Sequence, residues 1–188
     1  METITLKGID MPVSRLCAGG CPAGEYGWGN VDHDQIQAAI RQAFDLGVNF
    51  FDTADTYGLG QSERNMGQVL HDVRSRVVLA SKFGVRVEGG KTFYDNSPAY
   101  MEKALNESLK HLHTDYIDLY QFHNPAACPM PGDKSGLYEA MCRAKEQGMI
   151  HHIGITNHRL HVARQAVQSG HTSICVTPAF SSQRALTP

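Results

Sequence analysis

The chain has 188 residues, of which 41% are hydrophobic and 19% are charged, and its formal net charge at pH 7 is -2. This length fits a single domain over residues 1–188, and the apolar fraction is large enough for a sizeable core, which excludes an intrinsically disordered chain. The small net charge gives no reason to expect nucleic acid or an anionic membrane surface as a partner.

The ends of the chain and its cysteines bear on its location. Residues 1–10 alternate between apolar and polar types, without the apolar run of a secretory signal, and no run approaches the roughly 18 residues of a membrane span. The five cysteines form no C-x-x-C pair, so the usual spacings of zinc sites and redox dithiols are missing. We therefore expect a cytoplasmic protein with reduced thiols, no metal site and no membrane segment.

A β-hairpin is predicted at the start, with arms over residues 3–7 and 11–15 around a turn at 8–10. A short apolar run over 13–18 follows and ends at Gly19 and Gly20, which predicts the first strand of a sheet. Strands and helices alternate along the rest of the chain. Apolar runs predict strands at 48–51, 77–81, 116–122, 152–155 and 173–176. Helical spacing of apolar residues predicts helices at 36–44, 62–71, 97–112, 137–144 and 160–167.

This alternation indicates right-handed βαβ units and a parallel α/β sheet that is buried on both faces. Both a doubly wound open sheet and a (β/α)₈ TIM-type barrel fit the pattern. The barrel is favoured because the loop after the first strand lacks the G-x-G-x-x-G pattern of dinucleotide-binding sheets, and because the chain has no P-loop motif. The predicted strands account for about six of the eight βα units of such a barrel.

Polar residues follow four successive predicted strands: Asp52, Lys82, His123 and Asn157. Because all strand C-termini of a parallel barrel lie on one face, these side chains are expected to meet in an active site. Tyr57 lies in the loop after Asp52. A nearby cation favours phenolate, so we expect Lys82 to lower the pKa of Tyr57 below its usual value of about 10 and to make it an efficient proton donor. Asp52 is expected to hold Lys82 charged, and His123 to hydrogen-bond the oxygen that is protonated.

Five segments, in this order, resemble the aldo-keto reductase family. FFDTADTYG at 50–58 resembles the signature around the catalytic aspartate and tyrosine, and VLASKFG at 78–84 resembles the segment with the catalytic lysine. DLYQFHNP at 118–125 is similar to the segment with the catalytic histidine. HIGITNH at 152–158 is similar to the stretch whose asparagine holds the nicotinamide carboxamide, and VSRLCAGG at 13–20 to the first barrel strand and its cofactor-side loop.

The resemblance implies reduction of an aldehyde or ketone to an alcohol with NADPH, with NADH as the second candidate cofactor. Hydride would pass from nicotinamide to the carbonyl carbon, and Tyr57 would protonate the oxygen. Lys82 and Asp52 would tune Tyr57, while His123 would orient the carbonyl. The implied cofactor-binding residues are Gly19, Gly20, Asp52, Thr156 and Asn157. The resemblance does not indicate which small carbonyl compound is the substrate.

The last part of the sequence departs from the family. The resemblance implies eight strands, the last two holding the cofactor phosphates, whereas residues 175–188 form an atypical tail with neither strand nor helix patterning. We therefore expect an incomplete barrel that self-associates, or takes a partner, through unclosed edges. Two alternatives stay open. One is a non-catalytic fragment that binds a nucleotide weakly or binds a protein, and the other is an unrelated (β/α)₈ enzyme with Asp52 and His123 as metal ligands.

Overall fold

A six-stranded parallel sheet with helices between its strands forms the centre of the structure. The structure is a computed structural model that describes residues 1–6, 8–25, 28, 31–172 and 174–176. The strands are β1 (Thr3–Ile4), β2 (Val13–Ser14), β3 (Ala18–Gly19), β4 (Phe50–Asp52), β5 (Val78–Phe83), β6 (Val85–Glu88), β7 (Lys91–Tyr94), β8 (Ile117–His123), β9 (Ile150–Thr156) and β10 (Ile174–Val176). The α-helices are α1 (His33–Asp45), α2 (Gln61–Leu70), α3 (Pro98–His111), α4 (Leu137–Glu146) and α5 (Leu160–Ser169).

The order of the sheet is β3-β4-β5-β8-β9-β10, and every neighbouring pair is parallel. Strand order therefore follows chain order from one edge to the other. A doubly wound sheet reverses its strand order at a switch point, and this sheet does not, so it has the topology of a (β/α)₈ barrel. Within the described residues the six strands leave β3 and β10 at the two edges, which agrees with about six of eight units.

Two helices begin with a side-chain cap. The Asp32 carboxylate accepts a hydrogen bond from the Gln35 backbone N–H at 3.0 Å at the start of α1. The Ser97 hydroxyl accepts one from the Tyr100 N–H at 3.2 Å, and Pro98 follows as the first residue of α3. Each cap satisfies an N–H group that has no partner inside its helix. These starts set where the helices return the chain to the sheet.

The first sheet strand differs from the prediction. The apolar run over 13–18 divides, because Val13–Ser14 pairs with Thr3–Ile4 in the N-terminal hairpin and only Ala18–Gly19 enters the sheet. Asn49 explains the division, since its side-chain oxygen accepts the Ser14 N–H at 2.7 Å and its amide donates to the Pro12 carbonyl at 2.8 Å. These bonds hold the second arm of the hairpin against the start of β4.

The antiparallel β6–β7 hairpin was not expected from the sequence, although its turn has a clear signal. Gly89 and Gly90 form a two-residue turn with φ of 55° and 75°. Such turns require positive φ at both positions, which glycine adopts without a steric penalty. The hairpin lies between β5 and α3, and it extends the chain beyond the C-terminal end of the sheet.

The core is built around the central strands. All six residues of β5 are buried, as expected for a parallel strand that is covered on both faces. The largest fully buried side chains include Phe51, Phe83, Tyr120 and Phe122.

No helix in the described part of the chain is long and apolar enough to cross a membrane.

The sixth strand is confirmed, because β10 pairs in parallel with β9 and places Ile174 opposite Gly154. Ser173 and residues 177–188 lie outside the described residues. Cys175 and Val176 belong to β10, so strand structure extends into the first two residues of the predicted tail, and for residues 177–188 the atypical tail stays a prediction.

Candidate active site

Asp52, Tyr57, Lys82 and His123 lie together at the C-terminal end of the sheet. The Lys82 ammonium donates to Asp52 Oδ2 at 2.6 Å and lies 3.4 Å from the Tyr57 hydroxyl. The Tyr57 and His123 rings meet edge to face, with centroids 6.0 Å apart. The arrangement joins a carboxylate, a cation, a phenol and an imidazole, which are the groups that a proton-transfer site needs.

Strand register explains why these side chains meet. Asp52 lies opposite Ala80, and Lys82 lies opposite Gln121, so alternate residues of three neighbouring strands project from one face. Lys82 was expected to follow its strand but lies inside β5, which extends to Phe83. Its ammonium reaches back to the Thr53 carbonyl at 2.7 Å. The lysine is therefore held by the strand and by the loop that carries Tyr57.

Lys82 is almost fully buried, with 4% of its side chain exposed. Burial lowers the pKa of Lys82, but Asp52 and Tyr57 together raise it by more, so the net pKa lies above its ordinary value. Lys82 is consequently a permanent cation at neutral pH. This outcome agrees with the expected role of Asp52 in holding the lysine charged.

The expected direction of the Tyr57 shift is wrong. Burial raises the pKa of Tyr57, and the lowering effect of Lys82 does not offset it, partly because Asp52 also raises it. The phenolate loses more hydration in this site than the nearby cation restores. Tyr57 is therefore protonated at neutral pH, and the Lys82 cation lies beside its hydroxyl.

His123 is neutral at physiological pH. Burial, with smaller contributions from Lys82 and His158, lowers the pKa of His123 to about 3. A neutral imidazole has one N–H donor and one acceptor nitrogen. Its Nδ1 is buried and has no hydrogen-bond partner among the residues described. The ring can therefore hold a substrate oxygen by a hydrogen bond without adding a charge to the site.

Gln121 is a further member of the cluster that the sequence analysis missed. It is fully buried in β8, and its amide donates to Asp52 Oδ1 at 3.1 Å. The signal was its position two residues before His123, which places both side chains on one face of the strand. With Lys82 on one oxygen and Gln121 on the other, both Asp52 oxygens are occupied, which disfavours Asp52 as a metal ligand.

The two predicted cofactor-binding glycines have different surroundings. The Gly20 N–H donates to the Asp52 carbonyl at 2.7 Å, and the Ser62 hydroxyl donates to the Gly20 carbonyl at 2.7 Å. Gly20 is thus buried against α2. Gly19 is exposed, and a Cβ built on it would meet no atom within 4 Å. Gly19 has open space at the site, whereas Gly20 is required for packing.

Gly20→Ala is expected to destabilise the fold by about 1–3 kcal/mol, since overpacking displaces well-packed neighbours. The new Cβ would lie 2.5 Å from Ser62 Oγ and 3.0 Å from the Asp52 carbonyl oxygen. Gly19→Ala is the matched control and should change the unfolding free energy by less than about 0.5 kcal/mol. Urea denaturation of both variants measures the difference. Equal destabilisation by the two substitutions would contradict this packing role.

Thr156 and Asn157 lie at the same edge of the sheet. Thr156 ends β9 and is opposite His123 in register. Asn157 is 1% exposed, its amide donates to the Pro125 carbonyl at 2.7 Å, and its Oδ1 accepts the Arg159 N–H at 2.7 Å. The structure therefore brings both residues to the catalytic edge, and it uses Asn157 to join the loops after β8 and β9.

A cavity of about 660 Å³ lies at the opposite end of the sheet. It is lined by the turn of the N-terminal hairpin and by residues near the starts of β8 and β9, including Asp118 and His151. None of the four clustered residues lines it. Because the active sites of parallel barrels lie at the C-terminal end of the strands, the candidate site is the cluster and not this cavity.

Curated relatives share this sequence over most of its length. An uncharacterized oxidoreductase of Bacillus subtilis, YqkF, is 35% identical over 170 residues, which cover 89% of this chain and 53% of the relative. L-galactose dehydrogenase of Arabidopsis thaliana is 33% identical over 159 residues, which cover 83% of this chain and 48% of the relative. The chain thus spans about half the length of the curated relatives it matches.

Solved structures share the fold. The holo form of an aldo-keto reductase from Bacillus halodurans superposes with a TM-score of 0.79 at 31% identity, over 94% of this chain and 57% of that one. An aldo/keto reductase from Klebsiella pneumoniae, solved with NADP and acetate, superposes with a TM-score of 0.68 at 28% identity. The match covers 89% of this chain and 53% of that one. The model of the Aldo/keto reductase family matches residues 15–184. The sequence motifs, the strand order and these matches agree, and the chain belongs to the aldo/keto reductase family.

Proposed function

We propose that this chain carries the catalytic residues of a reductase that converts a small aldehyde or ketone to an alcohol with NADPH. The observation that carries the proposal is the chain of contacts from Asp52 through Lys82 to the Tyr57 hydroxyl, at 2.6 and 3.4 Å. It places a protonated phenol beside a fixed cation. That pairing suits protonation of an oxygen on which negative charge develops.

The residues at this edge fit a nicotinamide cofactor. Gly19 faces open space beside β4, and the buried Nδ1 of His123 lacks a partner within the described part of the chain. A relative from Schizosaccharomyces pombe is named as an NADP(+) aldo-keto reductase, and the Klebsiella structure contains NADP, which favours NADPH over NADH. We propose that Gly19, Gly20, Asp52, Thr156 and Asn157 form the edge that holds it, with Gly19 offering open space and the buried Gly20 and Asn157 fixing the loops around it.

When bound, NADPH supplies the hydride that attacks the carbonyl carbon. His123 donates a hydrogen bond from its neutral ring and holds the carbonyl oxygen near Tyr57. Tyr57 gives its proton to that oxygen as negative charge builds on it, and the bond from hydrogen to the phenolic oxygen breaks. Lys82 stabilises the phenolate that remains, and Asp52 keeps Lys82 in place. A proton from solvent then restores Tyr57.

The proposal is tested with the purified full chain. NADPH titration followed by fluorescence should give a micromolar dissociation constant, and short aldehydes should accelerate the loss of NADPH absorbance. Absence of NADPH binding would contradict the proposal and favour a non-catalytic fragment, and binding without turnover of any carbonyl would indicate a nucleotide-binding module. We also propose that the protein is cytoplasmic and that it self-associates through the β3 and β10 edges. Sedimentation measures the self-association.

A further inference from the structure

Asp55 lies between the catalytic loop and helix α3, outside the contacts that define the active site. Its Oδ2 accepts a hydrogen bond from the Tyr100 hydroxyl at 2.9 Å. Its backbone N–H donates to the Lys82 carbonyl at 3.1 Å. Two residues later, the Tyr57 N–H donates to the Ala54 carbonyl at 3.2 Å. One short turn therefore connects Asp55, Tyr57 and the backbone of the catalytic lysine.

Tyr100 is itself held firmly. Its backbone N–H is capped by Ser97 in the first turn of α3, and the Arg86 guanidinium lies 5.4 Å from its ring centroid. Arg86 also binds Asp95 at 2.7 Å. The hydroxyl of Tyr100 is thus a fixed point on α3, and its bond to Asp55 transfers that fixed position to the loop that carries Tyr57.

The Asp55 carboxyl is in an unfavourable position for a charge. Its Oδ1 is buried without a hydrogen-bond partner in the described residues. The net pKa of Asp55 is raised to about 7, chiefly by burial and also by Glu63 of α2, although Tyr100, the Thr56 backbone and Lys82 lower it. Tyr120 of β8 interacts with the same carboxyl. A cavity of about 190 Å³ beside Asp55 is lined by five more charged or titratable side chains, Arg86, Glu88, Lys103, Glu107 and His111.

We propose that Asp55 is a positioning residue that, through its bond to Tyr100, holds the Tyr57 hydroxyl at its place beside Lys82. The inference rests on the proposed function. A buried carboxylate oxygen without a partner costs free energy, so Asp55 is a poor choice for stability alone. Its two anchors, on α3 and on the Lys82 backbone, restrain the loop from both sides. An unpartnered buried polar atom of this kind calls for an explanation other than stability.

Three variants separate geometry from charge. Tyr100→Phe removes the bond and keeps the carboxyl, Asp55→Ala removes both, and Asp55→Asn keeps an acceptor for the Tyr100 hydroxyl without a charge. Tyr100→Phe and Asp55→Ala are expected to lower kcat about tenfold, because a small misplacement of reacting groups is costly, with NADPH affinity unchanged. Their double variant should show no further loss, since both remove one link. Asp55→Asn should restore most of kcat.

The stability of Asp55→Asn supplies a readout that does not depend on activity. Because the folded pKa of about 7 lies above the ordinary 3.8, the unfolded chain loses this proton first, and folding loses stability as pH rises from about 4 to 7. Asp55→Asn should therefore melt at least about 2–4 °C above the parent at pH 8, with the difference vanishing near pH 4. If Asp55→Asn is more stable than the parent at pH 8 and keeps most of its kcat, the oxygen that accepts the Tyr100 hydrogen bond, and not the charge, is the functional part of Asp55.

The position of the phenol is also measured directly. The ¹³Cζ shift of Tyr57, assigned with Tyr57→Phe, reports its titration beside Lys82 in protein labelled at tyrosine. Tyr100→Phe should shift this titration, whereas Tyr94→Phe, an exposed tyrosine of β7, should not. An unchanged titration in Tyr100→Phe would overturn the inference even if the parent chain reduced carbonyls. A parent without turnover would instead overturn the proposed function, and the titration would still decide the role of Asp55.

Discussion

Tyr57→Phe is expected to lower kcat for carbonyl reduction by about 10²–10⁴-fold, the usual contribution of a positioned general acid. The substitution removes one oxygen and keeps the ring that meets His123 edge to face. NADPH affinity and the unfolding free energy should therefore change little. Steady-state loss of NADPH absorbance with an excess of aldehyde measures kcat, and the fluorescence titration measures cofactor affinity in the same samples.

The control is Tyr94→Phe, which removes the same oxygen from a side chain that is 61% exposed in the β6–β7 hairpin. It should retain the activity of the parent. If Tyr57→Phe retained the kcat of the parent while binding NADPH, the proton would have to come from another group. Lys82 would then be the first candidate, since it is the charged donor 3.4 Å from the phenol.

The pH dependence follows from the directions of the two shifts. The raised pKa of Tyr57 keeps the proton donor loaded through neutral pH, so reduction should fall only above the ordinary range of a phenol. The pKa of His123, lowered to about 3, predicts no loss of activity from imidazole protonation between about pH 5 and 7. A fall in kcat/KM centred near pH 6.5, the ordinary value for histidine, would contradict the burial of His123.

The residues of the candidate site could be located from the sequence because topology alone brings them together. Asp52 ends β4 and His123 ends β8, the two strands that flank β5, and the C-termini of parallel strands share one face. Lys82 follows the same logic although it lies inside β5, since its side chain has the same alternation as Asp52.

Electrostatics and distant partners could not be read in this way. The direction of the Tyr57 shift depends on how much water the site excludes, which is set by packing across several strands. Gln121 needed only the two-residue alternation of β8, but its bond to Asp52 spans 69 positions in the sequence. The bond between Asp55 and Tyr100 spans 45 positions and depends on the placement of α3. The periodicity of the sequence indicates which face of a strand or helix a residue occupies. Its degree of burial and its hydrogen-bond partners can be determined only from the packed structure.

The largest effect on stability is expected from Arg74→Met, at the end of the sheet away from the catalytic cluster. Arg74 donates to Asp118 Oδ2 at 2.7 Å, to the Tyr116 carbonyl at 2.8 Å and to Thr114 Oγ1 at 2.9 Å. Its guanidinium also stacks 4.0 Å from the centroid of the Tyr116 ring. The side chains of Arg74 and Asp118 are 11% and 13% exposed, respectively. Removing the arginine would leave Asp118 as a largely buried anion.

We expect Arg74→Met to lower the unfolding free energy by about 3–5 kcal/mol, the usual penalty for leaving one partner of a buried ion pair uncompensated. That is a large share of the roughly 5–15 kcal/mol that stabilises a typical domain. The matched control is Arg15→Met, since Arg15 pairs with Glu2 at 2.6 Å with side chains 63% and 76% exposed and should lose less than about 1 kcal/mol. Urea unfolding measures both losses. Equal losses of unfolding free energy would contradict the prediction, since burial would then add nothing to the stabilisation by the Arg74–Asp118 pair. If adding Asp118→Asn partly reverses a large loss in Arg74→Met, the uncompensated carboxylate is identified as its cause.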